Sequence, residues 1–287
     1  MRLVESLDDY YEIIRKEKAE RGRLKTNDYM FPDAVKRYIN LKRLWIEKLE
    51  CGLVFLSDEE RFFQGYYYID DVNKFEIDRH EKPILIQNIY KLDRKKDHIC
   101  QMDISLEKSG FKKEGVLRHA ILENPNNVLE KLLPAEKISR RIMEKEGFKM
   151  MKVHRNLMPE LLAFRDAIKE IPFYQQPFFS ADELVFDSEK GLLTCVIDAK
   201  GSIQAARHLI MQGNKSYGWI GVAEKYKGVY GLASMLMVDQ LKLICQKGIL
   251  MCSWVEQNNT ASLQYHERLG TKWTGTIMDE WILYGQS

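Results

Sequence analysis

Apolar positions along this chain change spacing several times, and each change predicts an element. Residues 10–21 and 33–49 carry apolar side chains at helical spacing, the second stripe running from Val35 through Leu44 and Trp45 to Leu49. Residues 53–56 and 61–69 are apolar runs around a polar turn at 57–60 and predict a β-hairpin, with residues 83–90 as a further strand. Residues 99–108 predict a helix ended by Gly110, and 111–122 a strand pair around Gly115. The cluster Asn124-Pro125-Asn126-Asn127 predicts a turn, followed by a helix over 138–146, a strand over 148–155 and a helix over 159–171.

From Leu192 onward the order is strand (192–197), strand (203–211), strand (219–223), helix (232–246), strand (249–255) and helix (260–269), with two short strands to residue 283. Lys247-Gly248 and Gly270 stop the two helices. A faint repeat links the halves. Glu107-Lys108-Ser109-Gly110-Phe111-Lys112-Lys113-Glu114-Gly115 runs in register with Glu267-Arg268-Leu269-Gly270-Thr271-Lys272-Trp273-Thr274-Gly275.

Composition narrows the class. The 287 residues hold 44 basic and 42 acidic side chains, for a net charge of +2, a balance that argues neither for nor against a nucleic-acid partner; none is expected, and no membrane partner. The amino-terminal residues lack the apolar core of a signal peptide, and no run reaches the roughly 18 apolar residues of a membrane span. Five dispersed cysteines, without paired or zinc-ligand spacing, fit a reduced cytoplasmic protein with no metal. His98 and Cys100 lie close but do not make a site.

The candidate chemistry sits where an apolar strand runs into a glycine-bearing turn and then a long helix: Val222-Ala223-Glu224-Lys225-Tyr226-Lys227-Gly228-Val229-Tyr230-Gly231-Leu232-Ala233. Glycines let the backbone approach an anion, and the first amides of a helix have no internal partners. Past the next strand come Asn258, Ala261, Tyr265 and Gly270, at successive intervals of three, four and five.

In this order the two motifs resemble the GNAT superfamily of CoA-dependent N-acetyltransferases. Gly231-Leu232-Ala233 matches the end of the family's phosphate loop, although the loop is one residue longer and Tyr230 is a bulky insertion. The resemblance implies an α+β tandem GNAT-like fold, with mixed, mostly antiparallel sheets flanked by helices. The expected division is 1–125 as a degenerate GNAT-like domain, 126–147 as a linker helix and 148–287 as the catalytic domain. The amino-terminal half lacks a glycine loop and has His98, Gln101 and Ser105 where the second motif has Asn258, Ala261 and Tyr265.

The resemblance further implies acetyl-CoA as co-substrate, held by Ile220, Gly221, Val222, Lys227, Gly228, Val229, Tyr230, Gly231, Leu232, Ala233, Asn258 and Tyr265. Pantetheine would pair with residues 220–222 like an added strand, and the Val222 amide would polarise the acetyl carbonyl. Tyr265 would protonate the departing thiolate. Glu256 is the candidate base, with a solvated loop carboxylate as its plainer reading. His208 either lines the acceptor side or is structural. The aromatic cluster Phe62, Phe63, Tyr66, Tyr67 and Tyr68 either lines an acceptor cleft or alternates between two buried faces.

The function so implied is acetyl transfer to a primary amine, small molecule or peptide, by direct attack. Two alternatives stand beside it: an aminoacyl-tRNA-dependent transferase of tandem type, and a non-catalytic CoA-binding sensor.

Overall fold

The computed structural model describes residues 1–94, 97–168 and 187–285. The chain forms two compact units. The first comprises residues 1–119, 255–260 and 274–287; the second comprises residues 120–254 and 261–273. This division falls elsewhere than at the expected boundaries, because the elements on either side of them pack with different partners. Residues 126–147 belong to the second unit, and the last strand belongs to the first.

In the first unit the strands are β1 (Arg2–Leu3), β2 (Lys25–Thr26), β3 (Leu44–Leu49), β4 (Gly52–Asp58), β5 (Phe63–Ile69) and β6 (Ile84–Lys91). The closing strand, β13 (Lys272–Leu283), pairs antiparallel with β6 from Thr276 opposite Lys91 to Leu283 opposite Ile84. The order is β1-β3-β4-β5-β6-β13. All neighbours are antiparallel except β5 and β6.

Helices α1 (Leu7–Arg21) and α2 (Pro32–Asn40) cover one face, and α3 (Asp97–Lys108) covers the other. Side chains of β5 alternate between these faces. Tyr66 and Tyr68 pack with Tyr10 and Phe55, while Phe63 and Tyr67 pack with Ile84, Ile86 and Trp281. The aromatic cluster is therefore a two-sided core.

Residues 33–49, expected as one helix, are helix and then strand. Lys42 turns the chain at φ 55°, and Leu44 and Ile46 then alternate inward against Phe55. The helical stripe across this stretch is the sum of a helix face and a strand face. The segments expected as strand pairs at 111–122 and before residue 283 are each one long strand, β7 (Lys112–Leu122) and β13. Each follows a helix closed by a left-handed glycine, Gly110 (φ 87°) or Gly270 (φ 72°), so the two segments of the faint repeat share one local architecture.

The second unit holds β8 (Lys149–Lys152), β9 (Leu193–Ile197), β10 (Ile203–Gln212), β11 (Lys215–Val222) and, up to Trp254, β12 (Leu250–Glu256), in that order. Only β11 and β12 run parallel. α5 (Met158–Ala167) packs on one face. α4 (Pro125–Lys145) and α6 (Leu232–Lys247) pack on the other, and α7 (Thr260–Leu269) comes after β12.

The expected turn at Asn124–Asn127 is the start of α4, with Pro125 in the first helical turn, where its missing N–H costs nothing. Residues 169–171 of the helix expected at 159–171 lie outside the described residues, as do Lys95 and Lys96. Among the described residues no helix is long and apolar enough to cross a membrane.

Candidate functional site

β11 and β12 pair in parallel from Lys215 opposite Leu250 to Tyr217 opposite Cys252. β11 then continues to Val222, and among the described residues no strand pairs with its outer edge. The register fixes which backbone groups face outward. The Ala223 N–H donates to the Gln204 carbonyl at 2.8 Å, although the Cα partner of Val222 is Ala205. Ala205 and Val222 are thus a non-hydrogen-bonded pair of the β10–β11 ladder. The N–H and C=O of Val222, and by the two-residue period those of Ile220 and Gly218, turn away from β10 toward the parted side.

At the far end of that edge the chain makes a tight loop. Tyr226 N–H donates to Ala223 O at 2.8 Å and Val229 N–H to Tyr226 O at 3.1 Å. Gly228 (φ 71°), Tyr230 (φ 57°) and Gly231 (φ 67°) are all left-handed. Tyr230 is the one with a side chain, and such a conformation is costly away from glycine. Its ring is held against Phe148 at 5.5 Å and Tyr226 at 6.0 Å between centroids, and Tyr226 meets Phe148 edge-on at 5.1 Å. This aromatic trio fixes the loop and explains the bulky insertion.

Helix α6 begins at the loop with no side-chain cap on its first amides. The N–H groups of Leu232, Ala233 and Ser234 have no acceptor one turn back, so the positive end of the helix dipole is open to an anion. A Cβ at Gly231 would overlap the Ser139 hydroxyl of α4, so glycine is needed there for packing as well as for its φ. Lys227 pairs with Glu224 at 2.7 Å within the loop.

α6 is tied to the sheet by an ion pair between the buried Arg207 and the half-buried Asp239. Arg207 Nε donates to Asp239 Oδ2 at 2.8 Å, Arg207 Nη1 donates to Leu192 O at 3.1 Å, and Thr194 Oγ1 donates to the same Asp239 oxygen at 3.0 Å. One residue along, Gln240 is 1 % exposed, and neither of its amide atoms has a hydrogen-bond partner among the described residues. His208 is buried, with Nε2 2.7 Å from Asp187 Oδ2, a structural contact.

Tyr265 stands on α7 at 36 % exposure, its ring edge-on to His266 at 6.1 Å. Partial burial raises its hydroxyl pKa to about 12, so it keeps its proton at neutral pH. Burial holds the neighbouring His266 below its ordinary value. Ile220, Gly221, Val222, Lys227 to Ala233 and Tyr265 all fall in the second unit, whereas Glu256 and Asn258 fall in the first. There the Glu256 carboxylate accepts the Asn258 N–H at 2.6 Å and shapes the turn before α7.

Gln240 and Ser139 were not singled out by sequence. For Gln240 a signal existed, a lone amide on a helix stripe otherwise made of Met237, Leu241 and Ile244. Ser139 carried none, since its role depends on how α4 meets the loop.

No protein-family model matches the chain. No curated protein sequence matches it either. Solved structures do. A tandem GNAT protein from the clavulanic acid biosynthesis pathway superposes with TM-score 0.55 at 10 % identity, covering 99 % of this chain and 96 % of that one. A Drosophila protein gives TM-score 0.52 at 12 % identity over 97 % of this chain and 96 % of its own. A GCN5-related glucosamine N-acetyltransferase region of a fungal multi-domain β-N-acetylglucosaminidase gives 0.51 at 14 % identity, over 81 % of this chain and 31 % of that one.

Proposed function

We propose that this chain, which has two GNAT folds in tandem, is an acyl-CoA-dependent N-acyltransferase whose second unit moves an acetyl group from acetyl-CoA to a primary amine. The observation that carries the reading is the open edge of β11. It ends at an uncapped helix N-terminus, in the one unit with a left-handed glycine loop leading into a helix among the described residues. That pair of features fits a ligand with an extended amide-bearing arm and a pyrophosphate: strand-edge N–H and C=O groups for the arm, helix amides for the anion.

Bound acetyl-CoA would supply an activated thioester. The residues of this chain do the rest. Leu232, Ala233 and Ser234 hold the phosphate through their N–H groups. The Ile220 and Val222 N–H groups hold the arm, and a hydrogen bond donated to the acyl oxygen at its free end strengthens as negative charge develops on that oxygen. Tyr265, protonated at neutral pH, gives its proton to the departing sulfur and regains one from solvent. The amine attacks directly, the C–N bond forming as the C–S bond breaks, and its nitrogen releases a proton to solvent; no covalent enzyme intermediate is needed, so positioning supplies much of the rate.

The first unit has a scaffold role in this reading and holds no CoA. Its own β2 and Asn27 lie on the corresponding strand edge.

The test is calorimetric titration with CoA and acetyl-CoA, followed by thiol-release assays against a panel of amines. Saturable binding near one equivalent and amine-dependent thiol release are expected. Absence of both would overturn the proposal; binding without release for any amine would favour a CoA sensor.

A further inference from the structure

Gln240 occupies an unusual position. It lies on the buried face of α6, among Leu236, Met237, Leu241 and Ile244. A buried amide without partners forfeits its hydration and gains nothing in return. Its carboxamide lies flat against Gly218, so closely that a Cβ there would overlap both the nitrogen and the oxygen. The polar group reaches the sheet because the strand offers no side chain at that point.

Gly218 is also the residue at which β11 and β12 part, since the last paired residues are Tyr217 and Cys252. The open edge thus has two ends. One is the loop and the helix N-terminus beyond Val222. The other is the apex at Gly218, about 13 Å from Val222 at four strand residues. A chain anchored by phosphate at the loop and laid along β11 has its free end directed at the apex. Ser216, two residues before the apex, is already engaged, its Oγ donating to Leu250 O at 3.0 Å.

From this arrangement we infer that Gln240 is the acyl-recognition residue of the second unit, its Nε2 donating to the carbonyl oxygen of a short acyl thioester held along β11. The inference rests on the function proposed above. Gly218 is the companion requirement, because any side chain there pushes the carboxamide away. The arrangement trades stability for recognition, as sites built for ligands commonly do. An apolar side chain of the same length would suit the free protein better and the acyl group worse.

The experiment compares CoA with acetyl-CoA by calorimetry on the full chain, unaltered and as Gln240→Met, with melting temperature as a second readout. Unaltered protein is expected to prefer acetyl-CoA over CoA. Gln240→Met should melt at the same or a higher temperature, bind CoA as before, and lose about five- to tenfold in affinity for acetyl-CoA. Gln240→Leu repeats the test should the methionine variant fail to fold.

Equal weakening of both ligands, no change in either, or no preference for acetyl-CoA in the unaltered protein would overturn the role of Gln240 and leave the proposed function standing. Failure of the unaltered protein to bind either ligand would overturn both.

Discussion

In each unit two parallel strands pair briefly and then part: β5 and β6 from Phe63–Ile84 to Gly65–Ile86, β11 and β12 from Lys215–Leu250 to Tyr217–Cys252. Past the point of parting the two units differ. In the first unit the chain fills the gap itself. Lys25 and Thr26 of β2 pair with Ile69 and Tyr68. Asn27 then bridges the parted strands, its Oδ1 accepting Tyr67 N–H at 2.7 Å and its Nδ2 donating to the carbonyls of Gly65 and Gln87 at 3.1 Å each. Asp28 locks the segment by accepting the hydroxyls of Tyr10 and Tyr68. In the second unit the edge from Gly218 to Val222 has no strand on it among the described residues, and a glycine loop and helix stand at its end.

Parted strands leave backbone groups that must be satisfied by something. One unit satisfies them with its own side chain and a two-residue strand, and so becomes scaffold. The other, in the function proposed here, leaves them to a ligand. On that reading the same fold yields a structural and a binding version, and the observed difference lies in what occupies the strand edge.

The largest effect that would sharpen this contrast is on chemistry in the second unit. Tyr265→Phe should lower turnover by about 10²- to 10⁴-fold with CoA affinity little changed; wild-type turnover with chemistry rate-limiting would remove Tyr265 from the mechanism.

Next comes the anion end. Ala233→Asp puts a carboxylate in the first turn of α6, where it favours the helix and repels a phosphate. Melting temperature should hold or rise while CoA affinity falls by about tenfold or more. Unchanged affinity in a titration would mean that the helix terminus is not the phosphate site.

A change in the first unit should behave in the opposite way. Asn27→Ala strips partners from Tyr67 N–H and from the Gly65 and Gln87 carbonyls. It should cost about 2 kcal/mol or more in urea unfolding while leaving CoA affinity as it was. Gain of a second CoA equivalent would show that the filled edge is a latent site, and the contrast would fail.

The smallest effect concerns pH. Because the Tyr265 pKa is raised to about 12, the proton donor stays loaded well past pH 10, and no loss of activity between pH 8 and 10 should trace to it. A pH–rate limb in that window that shifts in a fluorinated-tyrosine variant at position 265 would contradict the assignment. Linkage has the same sign. Stability from keeping this phenol neutral is complete below the unfolded value near 10 and is lost as pH rises toward 12.

Much of the second unit was legible in the sequence because its signals are local. Gly231 and Gly248 bracket a helix found at Leu232–Lys247 against an expected 232–246, and the Thr260–Leu269 helix matches residue for residue. The turns at Gly201 and Gly213 also fall between strands as read. Residues 33–49 misled because a short helix and a strand in series can mimic one apolar stripe. The two long strands β7 and β13 were read as pairs because Gly115 and Gly275 suggest turns, yet a glycine is tolerated inside a strand and Gly275 keeps a positive φ of 69° there.

The sequence by itself determined the order of elements from residue 192 to residue 269, the glycine loop at a helix start and the position of Tyr265 on its helix. Each depends on residues within a turn or two of one another. Tertiary structure alone decided that residues 274–287 complete the first unit, that Asn27 closes one strand edge while the other stays open, and that Gln240 lies against Gly218. These pairings join residues tens to hundreds of positions apart. Which of several apolar or polar partners meets which is set by packing the whole chain at once, and no local spacing records it.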